Sequence, residues 1–291
     1  MAGTVEEEAK RDHEYHAEAH ALAGNIVLPL EQDITPHALT TVPAKGGYRA
    51  QQAQEYRLET IISYGRAHTQ VAGHKETVKK GGGWNTLATA VVEDLNILNI
   101  VTADRVVAQI HTHHYEDSYV PRISFLGTHF QNLRIAGHLV EIDLDVEIIG
   151  EKPENDQPYT RDKGFVERIS RQHARLRGHE NVFEEILHRY NRVPESFGSP
   201  VNGQETVECS LVRQAKGSYP GKTCGHVIHL RDFGTIYLAM AKIVHEDYNK
   251  KGIPERTTVS VEMIRAEMGC IANGSVGMAT TKTNGKPVGG G

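Results

Sequence analysis

The chain has 291 residues, 37 acidic against 32 basic side chains for a net charge of −5, and 38% apolar residues, to which 28 glycines add. That is ordinary globular composition, which excludes wholesale disorder, collagen-like repeats and coiled-coil arrays, and the length implies about two domains. A mildly acidic chain with no long Lys/Arg block argues against nucleic acid as the main partner, and no apolar run reaches the length of a membrane span. The opening MAGTVEEEAKRD is acidic where a secretory signal is basic and then apolar, so the chain reads as a soluble or mature form.

Residues 4–22 predict a helix, with Thr4 and Glu7 at capping-box spacing and Gly24 just beyond its end. On that helix His13, His16 and His20 share one face, either as a solvated surface or as pH-sensitive packing against a neighbour. The faces are nearly all polar, so the helix would be loosely held by its own domain. The apolar heptapeptide 25–31 follows, with Ile26, Leu28 and Leu30 on one side of an extended strand and Val27 and Pro29 on the other. Proline confines such a strand to an edge. Residues 32–50 read as a connector, so 1–50 forms an arm carrying a helix and a short strand.

From 51 to 158 the pattern is β, in short alternating runs separated by Gly, Asn and Asp. The period turns helical in 159–196, through Phe165, Ile169, His173 and Leu176 and then Phe183, Leu187 and Tyr190. Gly178 splits this interlude into two helices and Pro194 stops it. Strands return in 197–291. The expected fold is therefore mainly β: two tandem antiparallel β-sandwich or roll domains with a helical insertion and an N-terminal helix plus extended arm.

The two β blocks also look like copies of one another. Glu59-Thr60 answers Glu205-Thr206, the hairpin around Gly137 answers the one around Gly285, and 106–117 answers 238–249. In the first copy, residues 95–111 (LNILNIVTADRVVAQIH) and 124–142 (SFLGTHFQNLRIAGHLVEI) resemble the β-rich bacterial surface proteins called choice-of-anchor P. That resemblance implies an extracellular structural or surface role.

The strongest chemical cluster is HTHHYED: on a strand His111 and His113 share one face, the spacing by which a sheet presents two imidazoles to a divalent metal. Glu116, Asp117 or His129 would supply the third ligand; the same alternation equally describes a solvent-facing strand end. The segments 79–84 and 221–225 lack the glycine spacing of a P-loop, and no ordered nucleophile context marks a hydrolase. Cys209 and Cys224 could staple a hairpin in an exported protein, or be buried thiols in a reducing compartment. Asn273 heads a glycosylation sequon, which matters only if the chain is exported.

With no catalytic constellation and no cofactor signature, the expected role is non-enzymatic. The apolar strand Ile26, Val27, Leu28, Pro29 and Leu30 would insert into the open sheet edge of a neighbouring subunit, giving a head-to-tail homopolymer: a filament or surface layer outside a bacterial cell, with glycans as a further class of partner. The same strand could instead fold back onto its own chain. A metal-binding protein or metal-dependent enzyme centred on His111 and His113 is the alternative of a different class, and a sugar- or ligand-binding surface module, for which the sequence carries no specific signal, is a second.

Overall fold

The computed structural model describes residues 12–29, 31–77, 82–191, 197–269 and 272–288. The protein is mainly β, as its alternating runs predict, with antiparallel sheets and few helices. The first sheet is built on Gly47–Ala53, Arg66–Glu76, Gly83–Ile97 and Val101–Tyr115, hydrogen-bonded in that order, with short strands including Arg122–Ser124 along its margins. The second runs Lys222–Cys224, Val227–Leu230, Gly234–Tyr248, Pro254–Gly269, Asn273–Thr283, Ala17–Leu28 and Gln32–His37, with Glu205–Ser210 also paired to Gly234–Tyr248.

These sheets lie face to face. The 17–28 strand packs on 66–76 and 83–97, and 101–115 packs on 254–269 and 273–283. Leu22, Val71, Val92, Val106, Ile264 and Met278 consequently belong to one continuous apolar core. The two β blocks therefore supply one sheet each to a single sandwich, instead of closing two separate cores. Alternation tells each strand which side is inward, but not which sheet will cover that side. The supposed copies are alike only in part. Residues 106–117 and 238–249 both fall largely on long strands, whereas Glu59-Thr60 sits in a turn and Glu205-Thr206 opens a strand.

The N-terminal arm differs most from expectation. Within the described residues there is no helix over 12–22: Asp12–Glu14 is a strand paired with Lys286–Val288, and Ala17–Leu28 is a long strand of the second sheet. The reason is a period of two: Ala17, Ala19 and Ala21 are buried while Glu18 and His20 lie between them half-exposed. Alanine and glutamate favour helix in isolation, but pairing along two neighbours overrides that preference. His13, His16 and His20 thus share no helical face. His13 is buried against Trp84 and His114, and His16 is exposed.

The self-assembly strand is likewise corrected. It is the end of 17–28, held between Asn273–Thr283 and Gln32–His37 of its own chain, with Ile26 opposite Gly274 and Gln32. Ile26 is fully buried, but the register shifts between Ile26 and Leu28, leaving Val27 and Leu28 48% and 57% exposed. Pro29 follows the end of the strand, and Leu30 lies outside the described residues. In this chain the segment is therefore an internal strand of its own sheet and not a free arm. Gly24 fits this tight pairing, since a Cβ there would meet the Ser275 carbonyl oxygen at 2.3 Å.

The helical interlude forms as expected. Lys163–Arg177 is α1 and Glu184–Arg189 is α2, with Gly178 the C-cap of the first; Pro194 lies outside the described residues. They pack through Leu176, Ile186 and Tyr190 on Cys224, Val227, Tyr237 and Met240, a second small core on the outer side of the second sheet. Leu187 is exposed instead of packed. Among the described residues no helix is long and apolar enough to cross a membrane.

Truncating Ile26 tests the intramolecular strand. Ile26→Ala is expected to cost about 2–5 kcal/mol of unfolding free energy, the range for a fully buried isoleucine, with the sedimenting mass unchanged. A change of mass at unaltered stability would contradict this placement.

Candidate functional site

Two concave regions carry chemistry. The first holds the histidine pair. His111 and His113 project from one face of the 101–115 strand and, with Tyr115, Arg122, Ser124 and Glu151 among its lining, border a cleft of about 700 Å³. The shared face predicted from the alternation is therefore present. Asn85 stands opposite His113 on the adjacent strand, and its Oδ1 accepts from His111 Nε2 at 2.9 Å and from His113 Nδ1 at 2.8 Å. The Asn85 amide group donates in turn to Glu76 Oε2 at 3.1 Å. A single acceptor shared by two imidazoles defines the tautomer of each.

The third ligand does not arrive. Glu116 reaches Lys75 at 2.7 Å, and the His129 ring bonds to the Gly127 carbonyl. Among the described residues no three His, Cys, Asp or Glu side chains stand close enough together to hold a metal ion. The one arginine of the cleft lining, Arg122, faces Glu151 at 3.3 Å, and Glu147 adds a second carboxylate. His114, next in sequence, points the other way and is buried against the ring of His13.

The second region is larger, a groove of about 880 Å³ between α1 and the strand Val212–Lys216 with the segment 217–225. Helix α1 forms because Phe165, Ile169, His173 and Leu176 recur at helical spacing and are all buried, and because the Asp162 carboxylate accepts the Phe165 amide at 2.7 Å as N-cap. It is fastened at several points. Gln172 donates to the Ser210 carbonyl at 2.7 Å and accepts the Ser210 amide at 2.9 Å, and the His173 Nε2 bonds to the Glu208 carbonyl at 2.8 Å. At its last turn the Cys224 thiol donates to the Leu176 carbonyl at 3.2 Å. Gly225 permits that approach: its φ is +61° and a Cβ would meet Leu176 at 2.5 Å.

So fixed, α1 turns Arg168, Arg171 and Arg175 into the groove, three and four residues apart and hence on one side of the helix. Arg168 spends its guanidinium on structure, donating to the carbonyls of Ile148 and Ile149 at 2.8 and 2.6 Å. Gly150, at φ +76°, leaves it room. Arg171 and Arg175 are exposed, and among the described residues neither pairs with a carboxylate. Asp145, the one acidic side chain lining the groove among the described residues, already faces Arg213 at 3.5 Å. Facing α1 are Gln214, Ser218, Tyr219 and Thr223, with Arg213 offset by Asp143 and Asp145 at 3.6 and 3.5 Å. A groove with one cationic wall and one wall of amides, hydroxyls and an aromatic ring recognises anions by charge and orients them by hydrogen bonds.

A family model described as a domain of unknown function (DUF8256) matches residues 13–244, most of the chain. The chain belongs to that family. The matched stretch contains both the histidine cleft and the arginine groove. No curated protein and no solved structure matches the chain.

The remaining predicted sites are placed as follows. Cys209 and Cys224 are buried free thiols, not a disulfide: their strands are not paired with each other, Cys209 standing opposite Ala241 and Cys224 opposite Val227. Burial pushes the Cys209 thiol up to about 12, which keeps it protonated and inert. Asn273 is exposed at the start of its strand. The groove arginines escaped the sequence reading because net charge averages them away. Their signal was available in the 3- and 4-residue spacing alongside the buried stripe.

Buried histidines give this architecture a pH dependence. Burial lowers His226, which bonds Tyr190 Oη at 2.7 Å under the helices, to about 3, with Arg189 and His173 adding to the shift. His245 is lowered to about 3 by burial and Arg161, and His13 to about 4 by burial, partly opposed by Asp12. Unfolded, each takes up a proton near 6.5, so between roughly pH 4 and 6.5 the unfolded state binds more protons and stability falls as pH falls. Unfolding free energy is expected to drop from pH 7 to pH 5 by up to about 1.4 kcal/mol per unit for each such histidine once fully below 6.5. His226→Gln is expected to flatten that slope by one histidine's share; an unchanged slope would contradict the buried neutral ring.

Proposed function

We propose that this protein is a binding protein that captures an anionic ligand in the groove between α1 and the 212–216 strand. The observation that carries this reading is the pair Arg171 and Arg175: two exposed guanidiniums held on a fastened helix, lining a groove of about 880 Å³ whose only lining carboxylate among the described residues already faces another arginine. In a chain of net charge −5 such a local excess of positive charge does not follow from composition. The histidine cleft is less suited to an anion, since its one arginine faces Glu151.

The likeness of residues 95–142 to choice-of-anchor P proteins supports a location at the bacterial surface, where anionic polymers abound. A metal-dependent activity at His111 and His113 is a weaker reading, since both rings are turned to Asn85 and a third ligand would have to be recruited. Polymerisation by strand exchange is also a weaker reading, since the Ala17–Leu28 strand pairs on both sides within its own chain, whereas the groove needs no second copy of the chain.

Titration of the purified chain with tripolyphosphate, polyglutamate and oligogalacturonate tests the proposal. At least one is expected to bind, more weakly as salt rises because the cations are exposed. Arg171→Glu with Arg175→Glu is expected to weaken binding at least tenfold, about 1.4 kcal/mol, with thermal unfolding unaffected. Failure of all three polyanions to bind, or binding indifferent to the double reversal, would overturn it.

A further inference from the structure

The wall opposite the arginines narrows the chemistry of the ligand. Tyr219 is half-buried, and its ring is held on two sides. Thr223 Oγ1 donates to its Oη at 3.0 Å, and the ring lies so close to residue 217 that a Cβ there would stand 3.1 Å and 3.2 Å from two ring carbons. Glycine at 217 is what lets the ring settle against the backbone; the Leu139 carbonyl, 2.8 Å from the same point, closes the remaining space. The ring is thus a preset platform in the groove wall. Around it Gln214, Ser218 and Thr223 contribute neutral donors and acceptors, in number comparable to the cations facing them.

An acidic peptide or a polyphosphate would use the arginines and leave this wall idle. A nucleic acid would need a longer run of cations than two guanidiniums without a carboxylate partner. A ligand that uses both walls carries acid groups on one side and, on the other, hydroxyls around a ring face apolar enough to lie on an aromatic side chain. Those are the properties of a pyranose bearing a carboxylate. On the helix Arg171 and Arg175 stand about 6 Å apart along the axis, so the forked donors can take successive acid groups of a short chain, each bidentately.

We infer that the groove is an acidic-oligosaccharide site, with a sugar ring on Tyr219, its hydroxyls against Gln214, Ser218 and Thr223, and its carboxylates on Arg171 and Arg175. This assignment rests on the anion-binding reading above and adds the substrate class to it. The binding of carboxylate sugars is non-covalent and requires no second copy of the chain.

Calorimetric titration of the full chain with oligogalacturonate, a neutral glucan oligomer of equal length and polyglutamate of equal charge tests it, for the wild type, Tyr219→Ala, Thr223→Val, and Arg171→Gln with Arg175→Gln. The acidic oligosaccharide is expected to bind at least tenfold more tightly than either comparison ligand. Tyr219→Ala is expected to cost it at least fivefold while leaving the residual polyglutamate binding unmoved, and the double arginine change is expected to weaken both. Thr223→Val, nearly equal in volume, removes a groove hydroxyl without removing the ring; it is expected to weaken only the sugar and keeps the test decisive if Tyr219→Ala does not fold. Polyglutamate binding as tightly as the sugar, or a sugar affinity untouched by both Tyr219→Ala and Thr223→Val, would overturn the sugar assignment while leaving the anion groove standing. Absence of binding by all the anions would overturn both.

Discussion

The structure depends on a closure between opposite ends of the sequence. The strand 17–28 is hydrogen-bonded along most of its length to 273–283, and these two strands form the middle of the surface that covers the first sheet. Ordering this pairing means bringing together segments some 250 residues apart, a long-loop cost that grows only slowly with length. In return Leu22 and Ile26 from one end, and Val276 and Met278 from the other, join a core that includes Val71, Val92 and Val106 of the facing sheet. Without that closure the first sheet loses much of the surface that covers its inner face.

The groove inherits its rigidity from the second sheet. Helix α1 touches the second sheet through an amide bridge to Ser210, an imidazole on the Glu208 carbonyl and a thiol on its last turn. The first two use helix side chains from the face that the 3.6-residue period turns inward or from its flank, and the third uses the Leu176 carbonyl of the helix backbone. What remains is a flank of three arginines, one bound to backbone carbonyls at 148–149 and two presented to the groove. A binding wall on a fastened helix loses little conformational freedom when a ligand arrives, which is the physical meaning of preorganisation here.

Much of this was legible in the sequence, and the parts that were not have identifiable reasons. Helix α1 could be read because Phe165, Ile169, His173 and Leu176 keep their spacing and Gly178 ends it. The shared face of His111 and His113 could be read because the strand period is two. The strand 12–28 was misread because its inward residues before Leu22 are mainly alanines, which mark a buried face poorly and favour helix on their own. The two β blocks were assigned separate cores because alternation is blind to which sheet faces which. The missing third metal ligand and the groove's hydroxyl wall are tertiary facts: Tyr219 and Arg175 are 44 positions apart, and only the packing of α1 beside the 212–216 strand puts them on one cavity.

The central claim is one of location: the ligand lies between α1 and the 212–225 segment of a single closed sandwich. Amide hydrogen exchange of the full chain, with and without saturating oligogalacturonate, reads it directly. The account predicts added protection within 168–181 and 212–225 and none within 111–124. Protection centred on the histidine cleft at 111–124, with the arginine helix unchanged, would contradict it.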